Sequence, residues 1–142
     1  MKNKLTIIRG IPGSGKSTYA KKNYKCLILE NDMFHERGGL YRWLPSSMKG
    51  AIEWCEETCR TALGLGMDVV VANTFVDKKY VDFYKDMADE FDADFEVIRM
   101  ENDFGNVHNV PEKTLSRMKS EFDDYPGEKI VINEEGDKNG ND

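Results

Sequence analysis

The run Gly10-Ile11-Pro12-Gly13-Ser14-Gly15-Lys16-Ser17, followed by Thr18, meets G-x-x-x-x-G-K-[ST] at every fixed position. The chemistry of that spacing is phosphate capture. Gly10, Gly13 and Gly15, with Pro12 shaping the turn, let the backbone wrap a β-phosphate. Ser14, Lys16, Ser17 and Thr18 complete a cradle of inward N–H groups at the positive end of a helix. Lys16 is expected to reach the β/γ-phosphate oxygens and Ser17 to ligate Mg²⁺ through its hydroxyl. Such a loop specifies a nucleoside triphosphate, ATP or GTP, but not a reaction. Phosphoryl transfer further needs a carboxylate that takes the proton of an attacking hydroxyl. Asp32 lies just beyond the second apolar run, where open α/β sheets bind their ligands. A helix cap or a surface turn acid is the alternative reading of Asn31-Asp32.

These groups need a sheet to position them. Short apolar runs alternate with helical patterns, which predicts strands over 5–9, 26–29, 68–72, 95–100 and 129–133 and helices over about 16–24, 46–65, 77–91 and 111–123. Val69-Val70-Val71 and Ile130-Val131-Ile132 are continuously apolar, as strands become when helices cover both faces of a parallel sheet. The fold class expected is α/β, a three-layer P-loop NTPase sandwich with a five-stranded parallel sheet. One domain over 1–133 and a disordered polar tail over 134–142 complete it. Residues 30–45 have no clean period and read as an irregular excursion at the carboxyl edge of the sheet.

The chain of 142 residues carries 20 Lys plus Arg against 26 Asp plus Glu, a net charge of −6, which excludes a generally basic nucleic-acid coat. Residues 1–49 nevertheless hold 10 basic and 3 acidic side chains, so anionic ligands belong at that end. Three cysteines form no closed disulfide set, pointing to a reducing compartment. No apolar run approaches the ~20 residues of a membrane helix. A cytoplasmic protein without membrane partners is the expectation. Cys55 and Cys59, four apart on one helix face, read as buried thiols rather than zinc ligands, and the acids over 82–94 as the solvated face of a helix.

The loop, the acidic turn Glu30-Asn31-Asp32-Met33-Phe34-His35, the segment Gly39-Leu40-Tyr41-Arg42-Trp43, the helix bearing Glu53-Trp54-Cys55, and Asn106-Val107-His108 with Val110-Pro111 together resemble the AAA_33-type P-loop kinases. That family includes phage polynucleotide 5'-kinase and the kinase domain of a human NEDD4-binding protein. The likeness covers about residues 4–123. It implies that Asp32 is the general base for a 5'-hydroxyl; independently of the resemblance, Asp32 can share the Mg²⁺ shell with Ser17. Two departures stand out. Similar kinases commonly read Asp-Asn-Thr after the third strand, where this chain has Ala72-Asn73-Thr74, leaving Asn73 to orient a water or the loop serine. Phage polynucleotide kinase also uses lid arginines, whereas residues 101–116 contain none and offer only His108 and Lys113, with Arg117 just beyond. An arginine finger is worth about 10³ to 10⁵ in rate.

His35, Arg37, Tyr41, Arg42 and Trp43 interleave basic and aromatic groups, a composition suited to stacking a base beside phosphates or, alternatively, to capping the core. With Asn73 and His108 they are the candidate substrate contacts. The leading expectation is an ATP-dependent, Mg²⁺-dependent kinase acting on a hydroxyl, with the 5' end of a single-stranded polynucleotide as favoured acceptor. A nucleotide-binding regulatory module with weakened catalysis and a small-metabolite kinase are the alternatives.

Overall fold

The computed structural model describes residues 2–35, 47–104 and 110–132. Its elements run β1 (Lys4–Arg9), α1 (Lys16–Asn23), β2 (Leu27–Leu29), α2 (Asn31–His35), α3 (Met48–Gly64), β3 (Val69–Asn73), α4 (Lys78–Glu90), β4 (Asp94–Met100), α5 (Glu112–Glu121) and β5 (Lys129–Val131). The five strands form one sheet in the order β2-β3-β1-β4-β5. Every pairing is parallel, with Leu5 beside both Val69 and Phe95. The alternation of strand and helix in the sequence requires this arrangement, since parallel neighbours need a crossover between them.

Both sheet faces are covered. On one face Leu5, Ile7, Leu29, Val69, Val71 and Val97 pack against α3 and α4. On the other, Ile8, Val70, Ala72, Ile98, Met100 and Val131 pack with Tyr19 and Ala20 of α1. The successive valines of β3 thus serve two cores in turn, which is why that strand shows no polar alternation. Helix α3 buries Ala51, Cys55, Cys59, Ala62 and Leu63, a single stripe at helical spacing. Burial pushes the Cys55 and Cys59 thiols up to about 12, so both stay protonated. Among the described residues no group of three or more His, Cys, Asp or Glu is placed to hold a metal ion. Helix α4 starts where the Asp77 side chain accepts the Lys79 N–H at 2.9 Å, and its acids Asp82, Asp86, Asp89 and Glu90 lie outside the buried set Val81, Tyr84, Met87 and Ala88. No helix among the described residues is long and apolar enough to cross a membrane.

The architecture agrees with the sequence expectation, with element ends shifted by one or two residues and one added element. The excursion after β2 begins with a helical turn, α2, and β5 ends at Val131 rather than at residue 133. The tail over 134–142 lies outside the described residues.

At the end of β1 sits the largest side chain among those most fully buried, Arg9. Its guanidinium donates to the Phe75 carbonyl at 2.7 and 3.1 Å and to Glu128 Oε1 at 2.8 Å. Arg99, its partner in register on β4, donates to Glu128 Oε2 at 3.2 Å and to Asp124 at 2.7 Å. The Phe122 ring stacks against both guanidinium groups, 4.3 and 4.6 Å from its centroid. This cluster ties the chain after α5 to the central strands immediately before the glycine loop.

Candidate functional site

The glycine loop joins the central strand β1 to α1, at the carboxyl edge of the sheet. Gly15 caps α1 in the left-handed region at φ 96°, and no side chain caps the first turn. A helix start capped by a left-handed glycine rather than by a side chain is the ordinary form of a phosphate-binding one. A Cβ on Gly10 would stand 2.9 Å from the Met100 carbonyl oxygen and closer still to Ser14 Oγ, so the close approach of loop to sheet depends on glycine there. The Gly10 N–H donates to the Thr74 carbonyl at 3.2 Å, tying the loop to the end of β3. Lys16 is buried, with Nζ 3.1 Å from the Ile11 carbonyl oxygen, and so lies folded over the loop. Ser14 Oγ is buried with no hydrogen-bond partner among the described residues, a polar atom inside the cradle.

The loop serine has a partner that the sequence reading had not assigned to the site. Ser17 Oγ–H donates to Glu30 Oε1. Strand alternation explains how Glu30 arrives there. Leu27 and Leu29 belong to the α3/α4 face and Cys26 and Ile28 to the α1 face. Glu30 continues the second series. Ile28 pairs with Val70 and Leu29 with Val71, so Glu30 leaves β2 one residue past that register, toward the end of β3. The signal was available in the period of two, but it needed the register of β2 on β3.

Asp32 is the second residue of α2, half-buried, two residues beyond Glu30. Two contacts set the direction of this short helix. Asn73 Oδ1 accepts the Asn31 N–H at 2.7 Å, which anchors the start of α2 to the end of β3. Phe34 lies against Trp54 of α3, with ring centroids 6.4 Å apart, and a Cβ on Gly50 would meet the Phe34 ring at 3.1 Å. Asp32 and Phe34 are roughly 200° apart around a helix, so the contact with α3 fixes where Asp32 stands. Asn73 thus serves as an anchor for the helix that carries Asp32. His35 ends α2, while Arg37, Tyr41, Arg42, Trp43 and His108 lie outside the described residues.

The connection after β4 also touches the loop. The Phe104 N–H donates to the Gly13 carbonyl at 2.8 Å, and a Cβ on Gly15 would meet the Phe104 ring at 2.9 Å. Phe104 was absent from the sequence candidates because nothing in its neighbours marks it as a loop contact.

The donor set suits a hard divalent cation. Mg²⁺ in phosphate sites is held by one or two carboxylates together with substrate phosphates and waters. Ser17, with the Glu30 carboxylate bonded to it and Asp32 two residues on, supplies oxygen donors of that kind.

A parallel sheet of order β2-β3-β1-β4-β5, with this loop between its central strand and the following helix, defines a P-loop NTPase fold. The chain belongs to the AAA_33 family, described as an AAA domain, which it matches over residues 5–104. It is 28% identical over 145 residues to an uncharacterized protein of Pasteurella multocida (strain Pm70), across 90% of this chain and 81% of that one. Among solved structures, a candidate kinase from Chloroflexus aurantiacus J-10-fl is similar with a TM-score of 0.71 and 16% identity, over 93% of this chain and 89% of that one. Chaetomium thermophilum Kti12 in complex with ADP-AlF3 is similar with a TM-score of 0.68 and 12% identity, over 95% and 92%. A chain of the Pnkp1/Rnl/Hen1 complex is similar with a TM-score of 0.64 and 18% identity, over 95% of this chain and 48% of that one.

Proposed function

We propose that this protein is a Mg²⁺-dependent P-loop kinase that moves the γ-phosphoryl of ATP to a hydroxyl, and that a polynucleotide 5'-hydroxyl is its favoured acceptor. The carrying observation is the Ser17–Glu30 bond at the mouth of a complete phosphate loop, which gathers cradle, hydroxyl and carboxylate at one edge of the sheet. Asp32 follows in the first turn of α2. In this reading Lys16 and the amides of the loop hold the phosphates, Ser17 holds the cation, and Asp32 takes the acceptor's proton. Support comes from family membership, from similarity to a candidate kinase and to a protein solved with ADP-AlF3, and from a further similar chain in a Pnkp1/Rnl/Hen1 complex. The basic balance of residues 1–49 adds to the case for an anionic acceptor.

The test is transfer of ³²P from labelled ATP to a short single-stranded oligonucleotide bearing a 5'-hydroxyl. Labelling of DNA or RNA is expected, with binding that weakens as salt rises, by about −0.7 in log-log slope for each phosphate neutralised on a single strand. Tight ATP binding with no label on DNA, RNA or nucleosides would instead favour a regulatory module. Ala72 and the arginine-free stretch 101–116 are the features that support that second reading.

Lys16→Ala tests the nucleotide site itself. Losing a charge-assisted bond of about 1.5–3 kcal/mol weakens ATP binding roughly 10- to 150-fold. Unchanged affinity by isothermal titration would sink the assignment.

A further inference from the structure

The sheet face that supports α1 carries no carboxylate at Ala72, and one follows the end of the neighbouring strand. Ala72 is buried on that face among Ile8, Tyr19, Ala20 and Val70. A methyl group there can neither hold a metal's waters nor accept a proton. One register step past the Leu29–Val71 pair, on the neighbouring strand, Glu30 reaches across to accept the Ser17 hydroxyl proton.

We infer that Glu30, at the end of β2, is the positioning residue of the cation site, acting through its bond to the Ser17 hydroxyl. The inference rests on the nucleotide and Mg²⁺ reading proposed above. A serine hydroxyl has one proton and two acceptor lone pairs. With the proton committed to Glu30, the lone pairs are what Ser17 presents to a cation, and the carboxylate adds negative charge beside it. Glu is longer than Asp by one methylene, which suits a position one strand further from β1, whose loop leads into α1.

The experiment is a titration of Mn²⁺ into the protein–ADP complex, followed by electron paramagnetic resonance, alongside ADP binding in chelator. Glu30→Gln, which keeps an oxygen to accept the serine proton but removes the charge, is expected to weaken Mn²⁺ binding about 10- to 100-fold while leaving metal-free ADP binding unchanged. Because Glu30 also acts through its bond to Ser17, adding Glu30→Ala, which removes that bond, to Ser17→Ala should cost less than Glu30→Ala costs alone. Three results would each overturn the inference: parental Mn²⁺ affinity in Glu30→Gln, an equal loss of ADP affinity with and without metal, or strict additivity of the two substitutions. A parent protein that binds neither ADP nor Mn²⁺ would overturn the nucleotide reading itself, which the unsubstituted protein reports separately.

Discussion

Asp32→Asn is expected to leave nucleotide binding almost intact and to slow phosphoryl transfer to a 5'-hydroxyl oligonucleotide by about 10² to 10⁴. The amide keeps the size of the carboxylate but has no basic oxygen to take the acceptor's proton. Substitution leaves in place two contacts that hold α2, Asn73 on the Asn31 N–H and Phe34 against Trp54. The variant should therefore remain folded with its nucleotide site formed. Isothermal titration with ATP and single-turnover label transfer separate the two effects. Equal transfer rates in variant and parent would exclude Asp32 as the base and leave it a helix-turn acid. Asn73→Ala makes a useful comparison, because it should also slow transfer through misplacement of α2 without removing the base.

Glu128→Ala is expected to lower the unfolding free energy by about 3–5 kcal/mol. That is a large part of the ~5–15 kcal/mol typical of a domain. The Arg9 side chain is 0% exposed and the Glu128 side chain 6%, so truncation strands a buried guanidinium without its counter-charge. Arg99 keeps Asp124 and Glu101 as partners and loses less. The physical cause can be separated from simple loss of contact. A paired replacement, Arg9→Met with Glu128→Leu, removes both charges and should recover most of the loss. Urea denaturation measures both variants. A fall below about 1 kcal/mol for Glu128→Ala, the scale of an exposed pair, would show that water reaches the cluster.

Sequence patterning disclosed the sheet because its strands are short apolar runs separated by helical periods, and every strand and every helix but one follows that pattern. The exception, α2, has only five residues, too few to show a helical period or to be stable alone. It exists because Asn73 and the α3 surface hold it, and these contacts join residues far apart in the chain. The phosphate loop was legible in full, since its chemistry is carried by consecutive residues. Glu30 was visible as an acid but not as a partner of Ser17, because its role follows from the pairing of Leu29 with Val71. The Arg9–Glu128 pair was hidden for a related reason. Its partners are 119 positions apart, and a lone arginine at the end of an apolar run resembles a solvated strand terminus.

The position of β1 at the centre of the sheet governs how the protein can be assembled. Leu5 must meet Val69 on one side and Phe95 on the other before the strand is enclosed. The glycine loop leaves from this strand, and its Gly10 and Gly13 bonds go to Thr74 and Phe104. During synthesis the loop is therefore made before its floor and wall, which come only with β3 and β4, and such long-range parallel pairing is slow to form. Nucleotide can select only the nearly finished fold. Any affinity for it would draw late folding intermediates forward by mass action, making the ligand a stabiliser of the last stage of assembly rather than of the first.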